Sequence, residues 1–287
     1  MMSTESLKLL ASIVAALLGV SIGLLICFPA ENVLFLLHLL FFVGLIVFLT
    51  ARSVQLTFRR HAAAAAGKQV GRGQLRRRDL DYHLFVLGSG GHTKEMLMMM
   101  DDGFCNFANF HRRYLITAGD LNSIYQVAEY ETDLELLCIR EGKDAGTSDS
   151  RFVARARRVH QSLWSTPFSA LRSMLEIIPA LLTPPKNDVG AKLRYPTCIF
   201  SNGPATGFFV GLVVYLLKMF YVVPEDLMKF VYIESWARIS TLSLTGKLFY
   251  YTGIADVLVV QHAEVAAKYG IENAGEMVFN ARRPDMR

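Results

Sequence analysis

The chain has 287 residues, enough for one large or two small domains, and 52% of them are hydrophobic, a high fraction for a soluble protein. Its formal net charge is +5, and because the basic residues concentrate in one short segment, the remainder gives no surface suited to nucleic acid. The four cysteines lie far apart without a CxxC pair, which is typical of reduced, buried thiols and predicts no metal site.

Two uncharged apolar segments near the N-terminus predict membrane helices. Residues 9–28 and residues 33–50 are each long enough to span a hydrocarbon core of ~30 Å. A cleaved signal peptide is the alternative for the first segment, but its apolar region is too long and Cys27-Phe28-Pro29 is a poor cleavage site. We therefore predict that residues 1–50 form a membrane anchor of one or two transmembrane helices.

Residues 51–79 follow as a basic juxtamembrane linker. Up to residue 78 this segment contains no acidic residue and eight basic ones: Arg52, Arg59, Arg60, Lys68, Arg72, Arg76, Arg77 and Arg78. By the positive-inside rule this side of the membrane is cytoplasmic, so residues 80–287 are predicted to be cytosolic. The charges would also favour anionic lipid headgroups, unless they are simply solvated.

Residues 80–287, roughly 200 residues, have a size suited to one α/β domain. Short apolar runs alternate with helical stretches and predict a Rossmann-like parallel sheet flanked by helices. The predicted strands are residues 83–87, 113–117, 134–139, 197–200, 230–233 and 257–260. Polar residues follow these strands, and ligands of open parallel sheets bind at the carboxyl ends of the strands. This edge of the sheet is therefore the predicted site.

The first predicted strand runs into Gly88-Ser89-Gly90-Gly91-His92 and then into residues that favour helix. Such a glycine turn exposes backbone to a ligand, and the free N–H groups at the start of the helix favour phosphate. The Walker pattern Gly-x-x-x-x-Gly-Lys-Ser/Thr is absent, and Thr93 stands where a dinucleotide fingerprint has Gly or Ala. The alternative is a tight turn without a ligand.

Four further segments carry predictions about local structure. Residues 141–150 are polar and predict a flexible loop, and Asp120 predicts a cap for a helix over residues 121–130. Residues 163–182 predict a helix that lies on lipid or, alternatively, in the protein core. The apolar residues 205–223 predict a helix that covers the sheet rather than a third span, with Pro204 in its first turn.

Three motifs together resemble one protein family. They are residues 88–96 (Gly-Ser-Gly-Gly-His-Thr-Lys-Glu-Met), residues 201–207 (Ser-Asn-Gly-Pro-Ala-Thr-Gly) and residues 232–248, which begin Tyr-Ile-Glu-Ser-Trp-Ala-Arg. The chain resembles the membrane-anchoring subunit of the dolichol-linked N-acetylglucosaminyltransferase over about residues 80–280, and residues 155–162 fit the same family. Its glycine-histidine loop is also similar to that of the bacterial lipid-linked peptidoglycan glucosaminyltransferase.

The resemblance implies that the chain is the acceptor-binding half of a split two-domain glycosyltransferase. It implies a soluble donor-binding partner that holds UDP-GlcNAc, and addition of the second GlcNAc to GlcNAc-diphosphodolichol on the cytosolic face of the endoplasmic reticulum. Two apparent membrane segments depart from the single anchor usual in that family.

The length of the cytosolic part agrees with a split enzyme. Residues 80–287 supply one Rossmann-like half, without a second glycine loop followed by a ribose-binding carboxylate. We therefore expect the chain to be inactive alone and to bind no cofactor itself. The alternatives are a self-sufficient membrane glycosyltransferase and, from another class, a membrane-attached nucleotide-cofactor oxidoreductase.

The implied reaction is an inverting transfer, which needs a general base for the attacking hydroxyl. His92 is the first candidate, because imidazole accepts a proton near neutral pH, and its alternative role is to donate a hydrogen bond to the acceptor diphosphate. Glu234 is a second candidate base or an acceptor for sugar hydroxyls, and otherwise a structural partner of Arg238.

The acceptor sugar and its diphosphate are expected to contact residues at the strand exits. Backbone N–H and hydroxyl groups of the glycine loop would contact the diphosphate, basic residues would add charge, and later strand exits would form the opposite wall. The residues predicted for this are Ser89, Gly90, Gly91, Thr93, Arg155, Arg157, Asn202, Gly203, Ser235 and Arg238. Residues 256–287 are predicted to help dock the donor-binding subunit, or else to form a disordered terminus.

Overall fold

A computed structural model describes residues 19–20, 22–23, 26, 30–69, 80–88, 90–103, 107, 109–156, 166–203, 205–275 and 277. The chain divides into two compact units, one of residues 1–75 with 218–224 and the other of residues 76–217 with 225–287. Most of the predicted membrane segment 9–28, the site residues Ser89 and Arg157, and Pro204 lie outside the described residues.

The first unit contains a long apolar helix, α1 (Ala30–Gln69). Within the described part of the chain, its segment Asn32–Arg60 is the one helix long and apolar enough to cross a membrane. It includes the predicted segment 33–50, and the same helix continues through residues 51–69 of the predicted linker. Arg52, near the start of that linker, donates from Nη2 to the carbonyl of Lys218 at 2.9 Å and lies over the ring of Tyr221.

The second unit is built on a parallel sheet, as the sequence predicts, with seven strands where the sequence predicts six. The strands are β1 (Asp81–Val86), β2 (Phe110–Thr117), β3 (Thr147–Val153), β4 (Cys198–Ser201), β5 (Lys229–Ile233), β6 (Val257–Val260) and β7 (Glu272–Asn273). Their order across the sheet is β3-β2-β1-β4-β5-β6-β7. The predicted strands at residues 83–87, 113–117, 197–200, 230–233 and 257–260 are confirmed.

Helices connect these strands. They are α2 (Gly91–Gly103), α3 (Leu121–Glu141), α4 (Thr166–Leu182), α5 (Asp188–Lys192), α6 (Ala205–Met219), α7 (Leu244–Thr252) and α8 (Ala263–Tyr269). Helix α6 joins two neighbouring parallel strands, β4 and β5. At 15 residues it is a buried crossover helix, so the predicted sheet-covering helix is confirmed.

The predicted strand at residues 134–139 is wrong, since these residues belong to helix α3. Val127, Tyr130, Leu134 and Cys138 recur at helical spacing and are all buried. A short apolar run by itself does not distinguish a strand from a buried helix segment. The predicted cap is confirmed, because the Asp120 side chain accepts a hydrogen bond from the Ser123 N–H at the start of α3.

The true third strand, β3, forms within and beyond the predicted flexible loop of residues 141–150. Its side chains are mostly polar because it lies at the edge of the sheet, paired to β2 alone among the described strands. Charge pairing with β2 stabilises it. The Arg113 guanidinium donates from Nε and Nη2 to the two carboxylate oxygens of Asp149 at 2.8 and 2.6 Å.

Helix α4 exposes one apolar face and buries another. Phe168, Leu171 and Leu175 are exposed, whereas Ile177 and Leu181 are buried. The part of residues 163–182 that the structure describes is therefore helical, as predicted. Contact of its exposed face with lipid stays a prediction.

Candidate functional site

The loops that follow β1 and β4 meet at the carboxyl edge of the sheet. These strands are neighbours, and Val86 at the end of β1 pairs with Ser201 at the end of β4. The strand order runs outward from this pair in both directions, which makes it the topological switch point of the sheet. In open parallel sheets the ligand crevice lies at such a point.

Two contacts hold the β4 exit against the start of α2. The Asn202 side chain donates from Nδ2 to the His92 carbonyl at 2.8 Å. Gly203 packs against the His92 ring so closely that an added Cβ would lie 2.7 Å from Nδ1. The structure thus brings three predicted site residues together, His92, Asn202 and Gly203.

The glycine loop turns directly into α2. Gly90 has a φ of 69°, a left-handed conformation that favours glycine, and Gly91 is the first helical residue. The first N–H groups of a helix have no intrahelical acceptor and carry the positive end of its dipole. Gly90 and Gly91 therefore lie at the start of α2, and their contact with a diphosphate stays a prediction.

Thr93 braces this loop from inside the protein. It is fully buried, its hydroxyl donates to the Gly88 carbonyl, and its Oγ1 lies 2.7 Å from the Ser123 hydroxyl oxygen. Ser123 in turn donates to the Asp120 carboxylate at 2.8 Å. The Thr93 hydroxyl is thus engaged within the fold, which argues against its predicted contact with the diphosphate.

A buried glutamate with no role predicted from the sequence lies next to the His92 side chain. Its carboxylate accepts hydrogen bonds from the Ser235 hydroxyl at 2.9 Å, the Trp236 N–H at 2.6 Å and the Gln261 amide at 3.0 Å. This residue is Glu95, and its Oε2 lies 3.6 Å from His92 Nδ1. One carboxylate therefore joins the first turn of α2 to the exits of β5 and β6.

Glu234 is almost completely buried and hydrogen-bonded within the fold. Its carboxylate accepts from the Ser243 N–H at 3.0 Å, the Ser235 N–H at 3.1 Å and the Ser243 hydroxyl at 3.1 Å. Burial raises the pKa of this carboxyl group, although the hydrogen bonds from Ser243 and Ser235 oppose the shift. These contacts make Glu234 a support for the loop after β5, while its predicted catalytic role has no direct observation in its favour.

The two described basic residues of the predicted site are less buried than Glu95 and Glu234. Arg238 is exposed, and Arg155 is partly buried just after β3. Among the described residues, the Glu234 carboxylate has hydrogen-bond partners in Ser235, Ser243 and Tyr232, so its predicted structural partnership with Arg238 takes the form of charge attraction alone.

Enlarging residue 203 is expected to disturb His92. In Gly203→Ala the new methyl group would overlap the imidazole, and because that side chain is partly exposed and can move, we expect a cost of about 1 kcal/mol, the low end for overpacking. We expect a lower thermal unfolding midpoint for the full-length variant in detergent. His92→Ala in the same chain removes the ring and is expected to restore much of that midpoint. Equal midpoints for Gly203→Ala and the parent would contradict the packing described here.

The family model described as "Oligosaccharide biosynthesis protein Alg14 like" matches residues 83–276, from β1 past β7. The chain belongs to the Alg14 family.

Curated Alg14 proteins from fungi and human carry the name UDP-N-acetylglucosamine transferase subunit ALG14. The chain is 32% identical to that of Debaryomyces hansenii over 65% of its own length and 71% of the relative. It is 34% identical to the Schizosaccharomyces pombe protein, covering 79% of it, and 30% identical to the human protein, covering 77%. A crystal structure of Acinetobacter baumannii MurG aligns with a TM-score of 0.37 and 12% identity, over 64% of this chain and 43% of MurG.

Proposed function

We propose that this Alg14-family chain is the membrane-anchored, acceptor-binding subunit of a heteromeric UDP-GlcNAc transferase. It would recruit a soluble donor-binding subunit and add the second GlcNAc to GlcNAc-diphosphodolichol in N-glycan precursor synthesis. The observation that carries the proposal is the meeting of His92, Gly203 and the start of α2 at the switch point of the sheet. The name of the relatives, transferase subunit, supports it.

The anchor and the cytosolic location rest on charge and hydropathy. Asn32–Arg60 has the length and composition of a membrane span, and the basic segment that follows favours the cytosolic side. On this reading the unit that carries the sheet lies on the cytosolic face of the endoplasmic reticulum. The exposed apolar face of α4 suits contact with the same bilayer.

The proposed reaction is an inverting displacement. The 4-hydroxyl of the acceptor sugar attacks the anomeric carbon of UDP-GlcNAc, a new glycosidic bond forms, and UDP leaves with the bonding electron pair. His92 accepts the proton of the attacking hydroxyl. The free N–H groups at the start of α2 bind the acceptor diphosphate, which is held to lipid and therefore enters from the membrane side.

The donor sugar is expected on the partner subunit. The glycine loop of this chain is assigned to the acceptor, and the described residues contain one such loop. Residues 256–287 stay the predicted docking region for the partner, and their last ten residues lie outside the described part of the chain.

Reconstitution tests the proposal. The full chain in detergent, the soluble donor-binding subunit, and the two together are each supplied with UDP-GlcNAc and GlcNAc-diphosphodolichol. We expect product from the pair and none from either component. Transfer by this chain alone would support a self-sufficient glycosyltransferase instead, and binding of NAD(P) would support the oxidoreductase alternative. No transfer by the pair would contradict the proposal.

A further inference from the structure

We infer that Glu95 is a positioning residue for His92, and that its carboxylate selects the imidazole tautomer that can act as a base. The inference rests on the proposed function of His92. The helix itself does not require this contact, because a residue one turn into a helix needs no side-chain partner.

The surroundings of Glu95 fix its carboxylate in one orientation. Trp236 N–H and the Gln261 amide donate to Oε1, and the Ser235 hydroxyl donates to Oε2. The donors come from the exits of two strands, β5 and β6. Their convergence leaves Oε2 directed at the adjacent imidazole, at 3.6 Å from His92 Nδ1.

The two ring nitrogens of His92 have different surroundings. Nδ1 is buried and has no hydrogen-bond partner within the described part of the chain, whereas the side chain as a whole is 39% exposed. The exposed part of the ring therefore excludes Nδ1, and Nε2 is the nitrogen left for a substrate. Gly203 packs on the ring beside Nδ1, and Asn202 holds the backbone of the same residue.

A carboxylate accepts hydrogen bonds but donates none, so the nitrogen that faces it must carry the hydrogen. With the hydrogen on Nδ1, the lone pair of the neutral ring lies on Nε2, which can then accept the proton of the acceptor hydroxyl. After the transfer the imidazolium is positive and lies beside the Glu95 carboxylate, which stabilises it. A distance of 3.6 Å is longer than a hydrogen bond, but such contacts are often long in the absence of substrate.

Glu95→Gln tests this role in the reconstituted complex. The glutamine amide is isosteric, but its NH₂ can donate to Nδ1 and would leave the hydrogen on Nε2, the wrong tautomer for a base. We expect kcat to fall about 10- to 100-fold, as is typical when the partner that orients a metal-binding histidine is lost, with little change in KM for the lipid acceptor. Glu95→Asp keeps the charge and is expected to retain more activity than Glu95→Gln.

A double-mutant cycle separates positioning from a purely structural role. If Glu95 acts through His92, Glu95→Gln changes kcat of the His92→Ala complex by less than about twofold. An equal loss in both backgrounds would overturn the inference. Unfolding midpoints and partner pull-down are measured for every variant, and Glu95→Asp reports in place of Glu95→Gln if the latter does not fold.

Glu131→Gln is the matched control. Glu131 is partly buried, and its carboxylate accepts from the Nε and Nη2 of Arg112 and from the Tyr114 hydroxyl, both on β2. We expect this variant to be less stable but to keep the kcat of the folded complex.

Full activity of His92→Ala would refute the proposed role of His92 itself. Loss with His92→Ala but full activity of Glu95→Gln would refute only the role of Glu95.

Discussion

Replacing His92 by alanine is expected to lower kcat of the reconstituted transferase about 10²- to 10⁴-fold, the contribution typical of a general base. The substitution removes the side chain proposed to take the proton of the acceptor hydroxyl. It leaves the N–H groups of α2 in place, so KM for the lipid acceptor should change little. Initial rates measured at several concentrations of GlcNAc-diphosphodolichol, with UDP-GlcNAc saturating, give the two constants separately.

The alternative role of His92, a hydrogen-bond donor to the diphosphate, predicts a different result. In that case KM for the lipid acceptor rises, and His92→Gln restores activity because its amide can still donate. Under the base assignment glutamine is as inactive as alanine, since it cannot accept a proton at neutral pH. A His92→Gln complex with near-normal kcat would therefore contradict the base assignment while leaving the acceptor site intact.

Arg113→Met is expected to destabilise the protein by about 3 kcal/mol, the low end of the cost of breaking a buried ion pair, because Arg113 is buried whereas Asp149 is partly exposed. Arg113 is completely buried and donates two hydrogen bonds to Asp149 and further ones to the carbonyls of Ala180 and Thr183. Methionine fills most of the volume but removes this donor from the carbonyls of Ala180 and Thr183, while Asp149 keeps its contacts with His111 and Arg151. Denaturant unfolding of the full-length chain in detergent, followed by circular dichroism, measures the loss.

Arg172→Met is the control for this prediction. Arg172 pairs with Glu176 on the exposed surface of α4, at 3.0 Å from Nε to Oε1. Exposed pairs contribute little, so its free energy of unfolding should change by less than about 1 kcal/mol. Equal effects of the two substitutions would contradict the assignment of β2 as a buried, charge-paired strand.

The Arg113–Asp149 pair makes the stability of the protein depend on pH. Burial alone would raise the pKa of the Asp149 carboxyl, but hydrogen bonds from His111 and Arg113 and their charges hold it well below its usual range. A carboxyl group whose pKa is lower when folded stabilises the protein above its unfolded pKa, and the contribution is lost as the pH falls through the folded value. We expect the thermal unfolding midpoint of the unsubstituted chain to decrease as the pH is lowered below about 4. The midpoint of Arg113→Met should depend less on pH.

The strands that the sequence predicts are those buried on both faces. The runs at residues 83–87 and 230–233 are apolar and bounded by polar exits. The run at residues 134–139 has the same pattern but lies in α3, so the pattern alone does not separate a strand from a helix. Edge strand β3 carries Asp149 and Arg151 among polar neighbours, and it forms because a buried arginine on β2 needs a carboxylate opposite. This ion pair forms between two strands, so the sequence of neither strand alone indicates it.

The sequence indicates those parts of the candidate site that depend on local backbone geometry, and it misses those in which side chains meet across the fold. Gly90 and His92 belong to a strand-turn-helix pattern whose chemistry is local. Glu95 is three residues from His92, a spacing that places two side chains on one face of a helix and was available as a signal. Its other partner, Gln261, is 166 residues distant in sequence, and nothing local indicates that contact.

Because Gly203 packs closely on the His92 ring, a substitution at either of these two distant positions constrains the residue at the other. A chain that acquires any side chain at 203 must give up the imidazole at 92 or displace it from the carboxylate of Glu95. Among descendants of this lineage, the two residues are expected to be retained together or lost together. Paired loss would mark members that have abandoned the reaction while retaining the fold.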